Sequence, residues 1–282
     1  MKILQVTKRK LDIKEYKNRS ALESDYQTMI DEPCLVYVNG ELVVAYLEPE
    51  DKEGFLEPAR NACRDIQYQT DYRSNGMKTT SRIFGFEPRK ALRKDFCGAA
   101  IMSRDQPAHH NAILNAGKTV GRAYEKVNPD LYAKHTTMTD ENVEDDYQIE
   151  GVPFTSGIIN KNNPLKYHFD SGNYRNVWSG MITFRSGVAG GHLSCPELGV
   201  GFALRDKTTL NFDGQSLLHG VTPLTMVGSN PERFTVVFYS LRQMWSCLPV
   251  DEEVIRIREK RTQREINRWK GIDPLKGGGK TS

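Results

Sequence analysis

The chain has 282 residues, of which 38% are hydrophobic and 27% charged, so it can bury a substantial core as one large or two modest domains. A net charge of +3 is too small to indicate nucleic-acid binding by itself, which would need a local basic patch. Five scattered cysteines without a CxxC pair argue against a disulfide framework and a zinc ribbon. With no leader and no membrane-spanning run, we expect a soluble intracellular protein, cytoplasmic or, in a eukaryote, nuclear. The sequence indicates no oligomeric state.

Region 1–150 is predicted to be a mixed, mainly helical support for the rest of the chain. It contains a hairpin signal, because two β-rich runs at 34–38 and 41–46 flank Asn39-Gly40, a pair that readily adopts a type I′ turn. The run 108–132 has apolar residues at roughly helical spacing and predicts one long helix.

Region 151–248 is predicted to be the catalytic core, because short strands broken by Gly, Pro and Asn are typical of a sandwich or jelly roll. The candidate strands are 176–184, 192–198, 200–205, 208–213, 216–224 and 233–242. Gly190-Gly191 predicts a bulge or a close approach of another backbone. Region 249–282 is expected to be a charged helix at 251–270 followed by a flexible tail.

The candidate metal ligands are His168, Asp170 and His219. Side chains alternate along a strand, so His168 and Asp170 project to the same face and can bind one ion. His219 lies 49 residues further on, far enough for several strands to return to the same place. Two histidines and one carboxylate can form the facial triad of non-haem Fe(II) oxygenases. A chance His-x-Asp string is the alternative interpretation.

The last predicted strand carries a cation within an apolar sequence. One face carries Arg233, Thr235, Val237 and Tyr239, whereas the packing face carries Phe234, Val236 and Phe238. An unpaired guanidinium is expensive to bury. The far carboxylate of 2-oxoglutarate would resolve that cost, with the Thr235 hydroxyl as a second donor. A structural salt bridge is the alternative for Arg233.

Two strings of the sequence resemble the oxygenases of the TET/JBP family. His168-Phe169-Asp170-Ser171-Gly172-Asn173 is similar to the opening motif, in which HxD is followed three residues later by Asn. His219-Gly220-Val221-Thr222-Pro223-Leu224, followed by 230–239, is similar to the closing motif. The resemblance covers about 167–242, with a weaker likeness at 81–86.

This resemblance implies an α+β fold with a double-stranded β-helix (jelly-roll, cupin-like) core and a mostly helical N-terminal region. It also implies a dioxygenase that uses Fe(II), 2-oxoglutarate and O2 to hydroxylate the 5-methyl group of thymine or 5-methylcytosine in DNA. The implied iron ligands are His168, Asp170 and His219. The implied binding residues are Arg233 and Thr235 for 2-oxoglutarate and Asn173 and Tyr239 for the base.

Some of these assignments stay open. Asn173 could instead cap a turn, and Tyr239 could belong to the core. The TET branch of the family has a base-contacting histidine where this chain has Leu241, which leaves both thymine and 5-methylcytosine as candidate substrates. Arg82 and Arg89 are candidates for binding the keto-acid end of 2-oxoglutarate, without a motif that selects either.

A methyl group in a stacked duplex is out of reach, so the target base must be flipped or single-stranded. Two basic clusters, 89–94 and 256–270, are candidates for contacting the DNA backbone, although acidic residues intervene in the second, which also fits a solvated helix. A hydroxylase of a free nucleoside or another small metabolite is the first alternative and would not need these clusters. A DNA-binding module without turnover is the second, against which the intact triad and Arg233 argue.

Overall fold

Strands from both halves of the chain form the sheets, and helices pack outside them. The computed structural model describes residues 1–72, 77–90 and 94–272. The helices are α1 (Ile13–Tyr16), α2 (Leu56–Asp65), α3 (Ile101–Asp105), α4 (Pro107–Val127), α5 (Pro129–Asp140) and α6 (Val250–Trp269). The strands are β1 (Lys2–Val6), β2 (Thr28–Ile30), β3 (Cys34–Val38), β4 (Glu41–Leu47), β5 (Gln69–Tyr72), β6 (Lys78–Glu87), β7 (Gly98–Ala99), β8 (Ser156–Lys161), β9 (Ser179–Ser186), β10 (Val188–Gly190), β11 (Leu193–Cys195), β12 (Val200–Phe202), β13 (Thr208–Phe212), β14 (Gly220–Val221), β15 (Leu224–Met226) and β16 (Glu232–Tyr239).

Two sheets form the core. The larger has the strand order β1-β3-β4-β13-β9-β16-β8-β6-β5, with β7 paired to β6. The smaller has the order β14-β11-β12-β2, and β10 and β15 form a separate pair. An apolar cluster that includes Val44, Leu193, Phe202 and Leu210 joins residues of both sheets. The predicted α+β chain with a double-stranded β-helix core is confirmed.

The two faces of β16 have different neighbours. Phe234, Val236 and Phe238 belong to a second apolar cluster, which also contains Val120 and Tyr124 of α4. Val237, on the other face, packs against the cluster that joins the two sheets. The alternation expected for this strand therefore separates a helix-packed face from a face that lies between the sheets.

The N-terminal region supplies strands as well as helices. The hairpin prediction is correct, because β3 and β4 pair around Asn39 and Gly40, whose φ angles are +52° and +84°, as a type I′ turn requires. Strands β1, β3, β4, β5 and β6 lie in the larger sheet, and β2 pairs in parallel with β12 of the smaller sheet. Helices α1 to α5 are interspersed among them. The division of the chain near residues 150 and 248 stays a prediction.

Two local predictions were wrong, and one strand was missed. The helix expected over 108–132 is interrupted at Asn128, because Pro129 starts α5 and disfavours helical backbone in the residue before it. The strand expected over 216–224 reduces to the two-residue β14 and the start of β15. Strand β8 was missed, although it lies in the larger sheet between β16 and β6.

The structure also corrects the expectation about the cysteines. Cys97 and Cys247 form a disulfide, whereas Cys34, Cys63 and Cys195 are free and buried. The bonded pair is 150 residues apart, so local spacing carries no signal for it. The cysteine pattern therefore does not support the inference of a reducing compartment.

The charged helix predicted at 251–270 is present as α6. The expected tail beyond it lies almost entirely outside the described residues, as do Ala91 to Arg93 of the first basic cluster. Within the part of the chain that the structure describes, no helix is both long enough and apolar enough to cross a bilayer.

Candidate metal and co-substrate site

His168 and His219 lie side by side because their backbones pair directly. They form an isolated antiparallel bridge, in which His168 N donates to His219 O at 2.9 Å and His219 N donates to His168 O at 3.2 Å. Their ring centroids are 4.4 Å apart. Strands β9 to β13 lie between the two residues in sequence, so the return of the chain through the core brings the imidazoles together.

A backbone carbonyl holds each imidazole in one tautomer. His168 Nδ1 lies 2.7 Å from Lys166 O, and His219 Nδ1 lies 2.9 Å from Leu217 O. A carbonyl oxygen only accepts, so in both rings Nδ1 carries the hydrogen and donates it. Each Nε2 therefore presents its lone pair, the form in which an imidazole ligates a metal.

Asp170 completes the cluster. Its Oδ1 lies 3.5 Å from His168 Nε2, and its Oδ2 lies 3.8 Å from His219 Nε2. Gly214 O accepts a hydrogen bond from Asp170 N at 2.9 Å, and a Cβ on Gly214 would lie 2.4 Å from Asp170 Oδ2. The carboxylate thus occupies space that a glycine leaves free.

Among the described residues, this is the one group of His, Cys, Asp and Glu side chains whose ligand atoms all lie within 4.8 Å of one another. Two imidazole nitrogens and a carboxylate suit Fe(II) and leave coordination positions open. The sequence predicted that these three side chains converge, although residues 168–170 do not form a regular strand and only His168 takes part in an isolated bridge.

Arg233 is buried without a carboxylate partner. Its side chain is 1% exposed, Nη2 donates to Gly191 O at 3.1 Å, and Nε has no hydrogen-bond partner. Burial, reinforced by the neighbouring Arg185, lowers the pKa of Arg233 to about 9. None of the described aspartates and glutamates forms an ion pair with it, so the alternative of a structural salt bridge finds no support. A buried guanidinium without a carboxylate partner favours the binding of an anionic ligand.

The backbone around Arg233 agrees with the prediction for the glycine pair. Gly191 has a φ of +68°, and a Cβ there would lie 2.9 Å from Arg233 Nε. The expected close approach of another backbone occurs at Gly190, where the nearest atoms to an added Cβ would be the backbone O and C of Pro223. Gly191 in addition allows the guanidinium of Arg233 to approach.

Sequence reasoning missed Thr183 on β9. The register places Thr183 opposite Thr235 and Arg185 opposite Arg233, so all four belong to the same sheet face. Thr183 is fully buried, and its hydroxyl has no hydrogen-bond partner. Arg185 differs, because its guanidinium donates to backbone carbonyls of residues 188, 190, 203 and 204. The sequence signal that could have identified Thr183 is the string Thr-Phe-Arg at 183–185, which is the reverse of Arg-Phe-Thr at 233–235.

A cavity of about 270 Å³ lies between the sheets. The predicted site residues that line it are His168, Asp170, Asn173, His219, Thr235 and Tyr239. Arg233 does not line it, but lies two residues before Thr235 on the same face of β16 and is fully buried. The volume is close to the lower end of ligand pockets, roughly 300 Å³, so the cavity suits small ligands.

Asn173 closes a turn and also lines the cavity. Its backbone N donates to Asp170 O at 3.0 Å, and its Nδ2 donates to Ser179 Oγ at 3.0 Å. Leu241 pairs with Asn173 in an isolated bridge and lines the cavity as well. An apolar side chain therefore lies next to the amide at the position where the TET branch carries a histidine.

Neither Arg82 nor Arg89 lines this cavity. Arg82 Nη2 lies 3.8 Å from Asp105 Oδ2 in α3, and Arg89 forms an ion pair with the buried Glu253 of α6. No structural observation supports either of them as the residue that binds the keto-acid end of 2-oxoglutarate.

A double-stranded β-helix with a cluster of two histidines and one carboxylate defines the class of Fe(II)- and 2-oxoglutarate-dependent dioxygenases. The model of the Tet_JBP family, described as the oxygenase domain of the 2OGFeDO superfamily, matches residues 83–242, more than half of the chain. The chain belongs to this family and is a 2-oxoglutarate-dependent dioxygenase, and membership implies Fe(II) and 2-oxoglutarate.

Comparison with solved structures supports the fold in one case. NgTET1 in complex with 5mC DNA is 14% identical, with a TM-score of 0.59, and the alignment covers 92% of this chain and 90% of that one. An oxidoreductase of the 2OG-Fe(II) oxygenase family from Burkholderia pseudomallei is 14% identical with a TM-score of 0.43, over 70% of this chain and 85% of that one. The similarity to NgTET1 supports the fold alone. The TM-score of the second structure is too low to support a conclusion about this chain. No curated protein matches the sequence.

Proposed function

We propose that this dioxygenase hydroxylates the 5-methyl group of thymine or 5-methylcytosine in DNA to the 5-hydroxymethylpyrimidine. The observation that carries the proposal is the buried, carboxylate-free guanidinium of Arg233 on the sheet face that also lines the cavity of the His168, Asp170 and His219 cluster. A metal site alone would allow many reactions. A metal site with a separate place for a carboxylate matches a 2-oxo diacid as co-substrate.

In this proposal His168, Asp170 and His219 hold Fe(II) through Nε2, a carboxylate oxygen and Nε2. The lone pairs are already presented by the hydrogen bonds at Nδ1, so binding the ion requires no change of tautomer. Bound Fe(II), with 2-oxoglutarate and O2, supplies the oxidant for the methyl group.

Arg233 and Thr235 would bind the distal carboxylate of 2-oxoglutarate, and we add Thr183 to this set. Arg233 Nε and the Thr183 hydroxyl are both buried and without partners, and the register places Thr183 directly across from Thr235. A carboxylate has two oxygens that accept several hydrogen bonds, so it can satisfy these donors together. Its charge also offsets that of the guanidinium in a site with little water.

Asn173 and Tyr239 would contact the base from the wall of the cavity, with Leu241 next to the amide. The side chains of His168 and Asp170 are 24% and 28% exposed, whereas that of His219 is 8% exposed, so the metal cluster is reached from one side. A base stacked in a duplex cannot enter a cavity between two sheets. The proposal therefore requires a flipped or single-stranded base.

The test is mass spectrometry of nucleosides after DNA that contains thymine or 5-methylcytosine is incubated with the protein, Fe(II), 2-oxoglutarate and O2. We expect 5-hydroxymethylpyrimidine from at least one DNA. Asp170→Ala should reduce the yield by more than about 100-fold, since loss of an outer partner of a ligand already costs about 10- to 100-fold. Asp140→Ala, which removes an exposed acid at the end of α5, is the matched control and should leave the yield unchanged.

Two results would contradict the proposal. Absence of a hydroxymethyl product from both DNAs, with oxidation of a free nucleoside instead, would assign the site to a small-molecule substrate. Full turnover by Asp170→Ala would remove the proposed iron site.

A further inference from the structure

The basic clusters that the sequence indicated for DNA contact are partly neutralised within the fold. In the first cluster, Arg89 pairs with Glu253, and Lys90 lies 2.6 Å from Glu87. In α6, Arg256 pairs with Glu253 at 3.0 Å and Arg264 with Asp95 at 3.0 Å. These paired cations hold α6 against the body of the protein, whereas Arg258, Lys260 and Arg261 of α6 form no ion pair within the described chain.

A different stretch, residues 8–19, also carries a high local positive charge, and we call it the basic segment. It contains six basic and two acidic residues, so its charge of +4 exceeds the +3 of the whole chain, and the remaining residues are together slightly acidic. Its sequence, KRKLDIKEYKNR, includes the short helix α1.

Three lysines of the basic segment are available to an outside partner. Lys10, Lys14 and Lys17 are exposed, and within the described chain none of them forms an ion pair. The other cations of the segment have partners, as Lys8 lies 3.2 Å from Glu197 and Arg19 lies 2.7 Å from Asp25. The free charges thus form a group of three within eight residues.

The basic segment lies directly beside the candidate metal site. Asn18 N donates to Tyr167 O at 3.1 Å, and Tyr167 N donates to Arg19 O at 2.9 Å, so the segment pairs with the residue that precedes His168. Ile13 and Tyr16 of α1 pack on the same small apolar cluster as Phe169, the residue between the two metal ligands of the HxD motif.

The segment is also held in place. The Arg19 guanidinium lies 4.7 Å from the centroid of the Tyr16 ring and 5.5 Å from that of Tyr167 while it pairs with Asp25. Tyr167 donates its hydroxyl hydrogen to Asp25 Oδ2 at 2.9 Å, and the Ser194 hydroxyl oxygen lies 2.7 Å from the Tyr167 hydroxyl oxygen. The backbone that carries the three free lysines is therefore ordered by buried contacts rather than by the lysines themselves.

We propose that Lys10, Lys14 and Lys17 bind the phosphodiester backbone of the DNA strand whose base enters the cavity. This inference rests on the proposed function, because it takes the substrate of the neighbouring site to be a polynucleotide. Lysine ammonium groups bind phosphates as point charges, and each neutralised phosphate releases counterions. A free nucleoside has no phosphate for these lysines to bind, so the segment distinguishes the two substrate classes.

The experiment compares two variants of the full chain with equal loss of charge. The test variant is Lys10→Gln/Lys14→Gln/Lys17→Gln, and the control is Arg258→Gln/Lys260→Gln/Arg261→Gln in α6, whose three cations also form no ion pair within the described chain. Binding of a fluorescent DNA with 5-methylpyrimidines is measured by anisotropy between 50 and 200 mM salt. Thermal melting checks that both variants fold as the parent does.

We expect the test variant to have a shallower salt dependence, with the slope of log K against log salt reduced by about 2 to 3, as three lost phosphate contacts predict. When the salt concentration rises fourfold, the DNA affinity of the test variant should therefore fall roughly 16- to 64-fold less than the DNA affinity of the parent. Lys14→Gln alone should reduce the slope by about 1. The α6 control should retain the parent slope, and oxidation of a free nucleoside, where measurable, should not change.

Each other outcome has a distinct meaning. If the parent oxidises DNA and the test variant binds DNA as the parent does, the basic segment is not the contact, and the proposed function stands. If both variants lose affinity equally, the effect is one of overall charge, and the assignment to this surface is overturned. If the parent neither binds nor oxidises DNA, the proposed function fails, and the inference fails with it.

Discussion

The two faces of the central strands β9 and β16 show how this protein divides stability from function. On one face, Phe234, Val236 and Phe238 pack into a closed apolar cluster with the helices. On the other, Arg233 and Thr183 keep buried donors without partners. The first face stabilises the fold by burying apolar surface. The second face holds hydrogen-bond donors that the folded chain leaves without partners, and a ligand can satisfy them. The comparison predicts that substitutions on the two faces have opposite effects.

The largest effect on stability is expected from Phe238→Ala on the helix-packed face. Phe238 is fully buried, and its ring centroid lies 5.0 Å from that of Phe84. Truncation should lower the free energy of unfolding by about 3 to 5 kcal/mol, as for other buried phenylalanines. Urea unfolding measures this, and 2-oxoglutarate affinity of the folded fraction should stay within about twofold. A variant with parental stability would show that this face is not packed as described.

Arg233→Met should have the opposite pattern. The substitution removes a buried charge that has no carboxylate partner, so stability without ligand should be equal or higher. Affinity for 2-oxoglutarate, measured by calorimetry without O2 and with Ni(II) in place of Fe(II), should fall by about 2 to 5 kcal/mol, or roughly 30-fold to several thousand-fold. Arg233→Lys should lie between the two, since an ammonium keeps the charge but not the fork of donors. Unchanged affinity in Arg233→Met would contradict the proposed carboxylate site.

A smaller effect is expected from Thr183→Val, for which the chain offers a matched control. Thr183 and Thr209 are both fully buried with unpartnered hydroxyls, but Thr209 pairs with Leu47 and Ile182 on the helix-packed face. Both substitutions should leave stability equal or raise it, because each removes an unsatisfied hydroxyl. Only Thr183→Val should weaken 2-oxoglutarate binding, by about tenfold or more, as for a hydrogen bond to a charged group. Equal binding by the two variants would exclude Thr183 from the site.

The last prediction concerns the pH dependence of stability and two histidines of the helical layer. Burial lowers the pKa of His110 to about 4 and that of His135 to about 3, and His110 Nε2 accepts a hydrogen bond from Gly85 N at 3.0 Å. Both are neutral when folded, whereas the unfolded residues bind protons near pH 6.5.

The unfolded state therefore binds more protons below pH 6.5, and stability should be full above this pH and should fall as the pH drops towards 4. The slope should approach about 1.4 kcal/mol per pH unit for each histidine. Urea unfolding at pH 7, 6 and 5 measures this slope. The variant His135→Gln should remove the contribution of His135 to the slope and leave that of His110. A slope that stays as steep in this variant would mean that other groups cause the acid sensitivity.

Much of the site was predictable because it depends on local patterns. The sequence alternation along β16 alone separates Arg233 and Thr235 from the packing phenylalanines, since the side-chain period of a strand is two. The HxD string, the later histidine and the strand arginine supplied the family resemblance. The hairpin at Asn39-Gly40 was predictable for the same reason, because few pairs of residues adopt both left-handed positions of a type I′ turn.

What local patterns could not decide is which distant segments meet. Thr183 became a candidate only through the register of β9 against β16, and the basic segment became relevant only because its backbone pairs with Tyr167. The Cys97–Cys247 disulfide and the central place of β8 were missed for the same reason. A residue's own neighbours in sequence determine which way its side chain points, but long-range strand pairing depends on the free energy of the whole core. The candidate metal and co-substrate residues could therefore be predicted from the sequence, whereas the residues that surround them were determined by the tertiary fold.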